Sequence, residues 1–119
     1  MIVIKANTDF GFRLEAFLEG EPSPVGVYNV PFDKSGDITH GTIESKLPHH
    51  GIPRGLICRV AKEIQQTSEQ EHREITDKVS LVTKRSYHLS HIFEELGYRK
   101  TTYSDFLVLS RTYRPSHPN

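Results

Sequence analysis

The sequence predicts an α+β sandwich: a mixed, mainly antiparallel sheet of about six strands carrying two helices, in the order ββββαβαβ. Three observations predict it. Up to Leu47 the chain runs in short segments rich in β-branched and aromatic residues, separated by turn residues. Helical spacing of apolar residues sets in at Pro53. After that helix, one apolar run precedes a second helical stretch and another follows it, which is mixed α and β order in a short chain.

Met1 to Ala6 is β-branched and ends at Asn7-Thr8-Asp9, so it reads as a strand leading into a turn. From Phe10 to Leu18 the alternation of Phe10, Phe12, Leu14, Ala16 and Leu18 favours a half-buried strand, although Phe10, Leu14, Phe17 and Leu18 would also suit a helix. The turn at Glu19-Gly20-Glu21-Pro22 decides for the strand. Val25 to Phe32 is the third strand, Asp33 to Asp37 a turn, and Ile38 to Leu47 a fourth strand ending at Pro48. Short connections make these four an antiparallel meander. Leu56, Ile57, Val60, Ala61 and Ile64 fall on one helical face from Pro53 to about Ser68, with proline at the first position. Val79 to Val82 is a short strand. A second helix from about Ser86 to Leu96 places Leu89, Ile92, Phe93 and Leu96 on one face, with Ser86 as N-cap and Gly97 as C-cap. Thr102 to Tyr113 reads as one long closing strand. Residues 1–114 form a single domain, and 115–119 a mobile tail.

Composition narrows the function. The 119 residues hold 15 Lys plus Arg and 15 Asp plus Glu, so no broad field draws in nucleic acid or an anionic membrane surface. The single cysteine, Cys58, excludes an intramolecular disulfide and a multi-cysteine metal site, and is compatible with a reducing compartment. With no apolar run of membrane-spanning length and no signal-peptide pattern, the expected setting is the cytoplasm. An open edge on the first or last strand offers a route to a homodimer, which nothing in the sequence selects.

Several segments resemble the GNAT acyltransferase superfamily. Glu19-Gly20-Glu21 followed by Val25-Gly26-Val27 is similar to the hairpin between that family's second and third strands. Gly51-Ile52-Pro53-Arg54-Gly55-Leu56-Ile57 resembles the loop and helix start that grips the coenzyme A diphosphate. Val82, Ser86, Leu89 and the run Ile92-Phe93-Glu94-Glu95-Leu96-Gly97-Tyr98 resemble the fifth strand and following helix. The resemblance covers roughly residues 12–112 and implies a fold whose fourth and fifth strands splay apart around acetyl-coenzyme A as co-substrate. The acyl group would pass to an amine on a small molecule or a protein. On this resemblance His50, Gly51, Ile52, Arg54 and Gly55 would meet the diphosphate, a task suited to main-chain N–H groups at a helix start. Ser86 would meet the thiol end of the coenzyme. Glu44 is the expected general base, with His40 next, and Tyr87 the substitute acid.

The chain departs from the family pattern at three places. Pro48 and Pro53 stand where a cradle residue and a small residue are usual, and proline has no N–H to donate. Phe93 occupies the position of the family's frequent tyrosine acid and carries no proton to give. The pair of helices usual between the first two strands is missing. A rival reading follows: the same fold without catalysis, serving as a binding or regulatory protein. His88, His91 and Glu94 repeat at a spacing that could hold a metal, yet the same pattern describes a solvated helix face, and no metal is expected. Cys58 reads as a small helical residue, and the pairs Lys84-Arg85, Arg99-Lys100 and Arg111 with Arg114 as solvated basic positions.

Overall fold

The computed structural model describes residues 1–46 and 51–116. Among the described residues seven strands form one sheet: β1 (Ile2–Asn7), β2 (Gly11–Phe17), β3 (Gly26–Pro31), β4 (Ile38–Ser45), β5 (Ile75–Leu81), β6 (Arg99–Thr102) and β7 (Leu107–Tyr113). Two α-helices accompany them, α1 (Ile52–Glu71) and α2 (Ser90–Glu95), the latter entered through a 3-10 segment over Lys84–Leu89. The order across the sheet is β1-β2-β3-β4-β5-β7-β6. All neighbours are antiparallel except β4 and β5, which run parallel and are joined by α1. A parallel neighbour needs such a crossover, whereas antiparallel ones close with short turns.

Local chemistry fixes the first four strands. At the β1–β2 turn the Thr8 N–H donates to the Gly11 carbonyl at 2.9 Å, and a Cβ on Gly11 would sit 1.9 Å from the Val30 carbonyl oxygen. Only glycine fits there. Between β3 and β4 the Asp33 carboxylate accepts from the N–H groups of Ser35 and Asp37 at 2.9 and 3.0 Å, and Gly36 takes a φ of +82°. An Asp side chain commonly organises a turn this way.

Burial alternates along β2, β3, β5 and β7. Phe12, Leu14 and Ala16 of β2, Tyr28 and Val30 of β3, Ile75, Asp77, Val79 and Leu81 of β5, and Leu107, Leu109 and Tyr113 of β7 are buried. Arg13, Asn29, Lys78 and Ser80, which point the other way, are exposed. Ile52, Leu56, Ile57, Val60 and Ile64 of α1 and Ile92 and Phe93 of α2 complete the same core, so both helices lie on one face of the sheet. The opposite face carries polar and half-buried side chains.

The expected α+β order holds, with corrections. The sheet has seven strands where about six were expected, because the long closing strand is two: Tyr103 to Phe106 makes a turn, with the Tyr103 N–H on the Phe106 carbonyl at 2.9 Å. Aromatic residues at both ends of Tyr103-Ser104-Asp105-Phe106 concealed the Ser-Asp turn, and their rings stack at 4.7 Å. β5 begins at Ile75 and not at Val79, since the buried polar residue Asp77 interrupts the apolar row that marks the strand. The helix expected from Ser86 to Leu96 starts as 3-10 turns and becomes α-helical only at Ser90, so Thr83, and not Ser86, precedes its first turn. α1 starts one residue earlier than expected, with Pro53 second, and runs on to Glu71.

Candidate functional site

The parallel pair β4 and β5 is where the sheet opens. Its registered partners are Ile38↔Asp77 and Gly41↔Val79, with an irregularity between them. β4 continues against β3 as far as Gly26↔Ser45, and β5 against β7 as far as Leu81↔Leu107. Past Gly41 the two strands therefore follow different partners. A cavity of about 480 Å³ occupies the parting. Ile43, Glu44 and Ser45 wall it from β4, Pro53 from the start of α1, and Thr83, Arg85, Ser86, His88 and Leu89 from the segment after β5.

The wall combines apolar and polar chemistry. Ile43, Pro53 and Leu89 offer hydrocarbon, Glu44 a carboxylate, Arg85 a guanidinium, His88 an imidazole, and Ser45 and Ser86 hydroxyls. The Ser45 hydroxyl is buried and makes no hydrogen bond among the described residues. A buried hydroxyl without a partner carries a cost, which a ligand group in hydrogen-bonding reach would relieve. The Ser86 hydroxyl donates to the Thr83 carbonyl at 2.7 Å and accepts from the Thr83 hydroxyl at 3.2 Å, so its proton already stiffens the turn after β5.

The start of α1 forms another side of the site. Gly51 precedes the helix with φ +70°, a left-handed conformation that glycine adopts without strain, and a Cβ there would meet open space. The Gly55 N–H already donates to the Gly51 carbonyl at 3.0 Å, and Pro53 has none. By helix geometry Ile52 and Arg54 are then the first-turn amides left to face a ligand. Their side chains do other work. Ile52 is fully buried against Gly26, and the Arg54 guanidinium pairs with Glu95 on α2 at 2.7 Å. This pairing raises the Arg54 pKa and lowers that of Glu95, with the side-chain hydrogen bond as the leading cause in each. A Cβ on Gly55 would meet only the end of the exposed Met1 side chain, which is free to give way.

Of the residues singled out from the sequence, the fold thus gathers Glu44 and Ser86 on one cavity and sets the Gly51 helix start beside it through Pro53. Tyr87 packs against the hydrophobic core and does not line the cavity. His50 and Pro48 lie outside the described residues. His40 sits on β4 before the pairing with β5 ends and is also not on the wall. His88, His91 and Glu94 do not converge: the first belongs to the 3-10 segment, and Glu94 pairs with Lys100 at 3.3 Å. Among the described residues no three such side chains are placed to hold a metal ion. Sequence reasoning missed Ser45, Thr83, Arg85 and His88 as wall residues. Arg85 read as a solvated basic position because only the turn after β5 aims it at the parting.

A second polar cluster lies inside the core. The Tyr98 hydroxyl donates to the Asp77 carboxylate at 2.5 Å and lies 2.7 Å from the Tyr113 hydroxyl. Burial, opposed by the Tyr98 hydrogen bond, pushes the Asp77 carboxyl up to about 6. Burial likewise pushes the Tyr113 phenol up to about 12 and holds those of Tyr98 and Tyr28 well above their ordinary values. The chain matches no protein-family model and no curated protein.

Proposed function

We propose that this protein binds an acyl-coenzyme A in the parting between β4 and β5 and transfers its acyl group to an amine, in the manner of a small GNAT-type N-acyltransferase. The observation that carries the reading is the parallel pair that separates after Gly41↔Val79 around a cavity with a carboxylate on its wall. The strand order β1-β2-β3-β4-β5-β7-β6, with α1 crossing from β4 to β5, suits the same reading.

The residues present fit such a ligand. Ile43, Pro53 and Leu89 accept the apolar arm, and the Ser45 hydroxyl gains a partner. The Ile52 and Arg54 amides, at the positive end of α1, face phosphate oxygens, with Arg85 as a nearby cation and the His88 imidazole beside it. The bound thioester supplies the activated acyl group: the amine nitrogen attacks its carbonyl, the C–S bond breaks as the C–N bond forms, and coenzyme A leaves as a thiolate that takes its proton from solvent. Glu44 takes the proton from the attacking amine, and its exposure on β4 leaves it accessible to an acceptor. The acceptor is an amine-bearing small molecule or a protein lysine or N-terminus.

A thermal-shift titration with acetyl-coenzyme A tests the binding: at a hundred times its dissociation constant the ligand should add about 2.7 kcal/mol of stability. Absence of any shift at millimolar ligand removes the proposal. Glu44→Gln should keep the shift while losing on the order of a hundredfold or more in acyl transfer to an amine, the usual scale of a general base.

A second reading, a binding protein of the same architecture without catalysis, draws on particular contacts. Arg54 is neutralised by Glu95, Ser86 is turned onto Thr83, and Phe93 is buried in the core with no proton to donate. A chain that is stabilised by acetyl-coenzyme A yet acylates no amine, with Glu44→Gln indistinguishable from wild type, would establish it.

A further inference from the structure

We propose that the edge of the sheet where β6 begins and β7 ends is a second ligand site, for a small molecule carrying a diphosphate group. A concavity of about 590 Å³ lies there, within the range of small-molecule sites. Its wall includes three arginines, Arg99, Arg111 and Arg114, and three hydroxyl residues, Thr101, Ser110 and Thr112, with no carboxylate among the lining residues. Gly97 completes it and leaves the rim open.

Strand register explains why these donors assemble. Ser110, Thr112 and Arg114 alternate along the end of β7 with the buried Leu109 and Tyr113, so they project from the face that no helix covers. Arg99 and Thr101 project from the same face of β6, because Arg99 pairs with Ser110 and Thr101 with Val108. From β5, Lys78 faces Ser110 on its other side. Lys78, Ser110 and Arg99 thus form a row of two cations about one hydroxyl. Cross-strand neighbours lie about 5 Å apart and alternate residues of a strand about 7 Å apart. Donors spread so widely exceed the reach of a carboxylate and match the several oxygens of a diphosphate.

The arginines are in three states. Arg111 shares the helix-covered face of β7 with Leu109 and Tyr113, its guanidinium donating to the Leu96 carbonyl at 2.6 Å and lying 4.1 Å over the Tyr113 ring, so the arginine cations for the ligand are Arg99 and Arg114. Arg114 pairs with Glu74 at 2.8 Å across an exposed rim, a contact an incoming phosphate can replace. Arg99 is exposed and has no ion-pair partner among the described residues. Planar guanidinium groups suit phosphate oxygens, which they bind in pairs.

This site and the parting of β4 and β5 lie toward opposite ends of β5, since Tyr113 pairs with Ile75 at the strand's start and the parting follows its end. The two proposals therefore fail separately. Isothermal titration at low ionic strength with pyrophosphate, inorganic phosphate and ADP should give saturable submillimolar binding of pyrophosphate or ADP, and weaker binding of inorganic phosphate. Pyrophosphate as the tighter ligand indicates an inorganic or simple diphosphate ester, and ADP a nucleotide; either supports the site. The double variant Arg99→Gln/Arg114→Gln should weaken binding at least tenfold, keep its melting temperature and retain any stabilisation by acetyl-coenzyme A. Arg13→Gln, on the same face but across the sheet on β2, should bind as wild type. Absence of saturable heat at millimolar pyrophosphate, or equal affinity in the double variant, overturns the proposal.

Discussion

Asp77 shows what one residue can do to a strand. It occupies a core-facing position between Ile75 and Val79, with the Tyr98 hydroxyl donating to its carboxylate. Burial favours the neutral acid, so the folded chain holds this proton to about pH 6, whereas an unfolded chain releases it near pH 4. Between those values the folded state binds more protons, and its stability therefore falls as pH rises. The contribution is complete below about pH 4 and lost through about pH 6, with a ceiling of about 3 kcal/mol for a shift of this size. Urea denaturation across that window should show the decline, and Asp77→Asn should flatten it. Parallel profiles for the two proteins would mean that the carboxyl titrates normally in the fold. Near the same cluster the Tyr28 hydroxyl is buried and makes no hydrogen bond among the described residues.

At the scale of elements, the packing of α1 on β3 is set by a glycine. A Cβ on Gly26 would lie 2.6 Å from Ile52 Cγ2 and 2.9 Å from Leu56 Cδ1, so the helix approaches the strand more closely than any larger residue permits. Both helix residues are fully buried. Gly26→Ala should destabilise by about 1–3 kcal/mol, the usual cost of overpacking a filled core. Ile52→Ala, which removes the clashing Cγ2, should cost less in the Gly26→Ala chain than in the wild type, because the two changes share one contact and are not additive. Fully additive losses in denaturant unfolding would show that the contact does not limit the approach. The sequence displayed this glycine within Val25-Gly26-Val27. What it did not display was the partner, which arrives from a helix 26 positions later.

For the molecule as a whole, the sheet is asymmetric. β5 lies between β4 and β7 beneath the helices, while β1 and β6 are edges, and all four residues of β6 are exposed. Opening free energy follows burial and paired backbone. Native-state hydrogen exchange should therefore find the slowest amides in β5 and β7, around Val79 and Leu109, and the fastest strand amides in β6. Uniform protection across the sheet would contradict this distribution. The edges also differ in chemistry. Arg99 and Lys100 on β6 discourage pairing with another strand, whereas Ile2 and Ile4 on β1 are exposed.

Much of the architecture was legible in the sequence. The first four strands, the helix after Pro53 and the α+β order follow from spacing and turn residues, which are local properties. The shape of the candidate site was not. Glu44 and Ser86 stood out as residues, but their common cavity exists because β4 and β5 run parallel and then follow different neighbours. Arg85 and the Ser45 hydroxyl became wall residues for the same reason. Arg54, read as a cation for phosphate, is instead held by Glu95 on another helix. The sequence by itself determined which segments bury one face and where the chain turns, because apolar period and backbone preference are written over a few neighbouring residues. Only the tertiary structure decided which strands part, which charges are already paired and which hydroxyls remain free, because those depend on contacts between residues far apart along the chain.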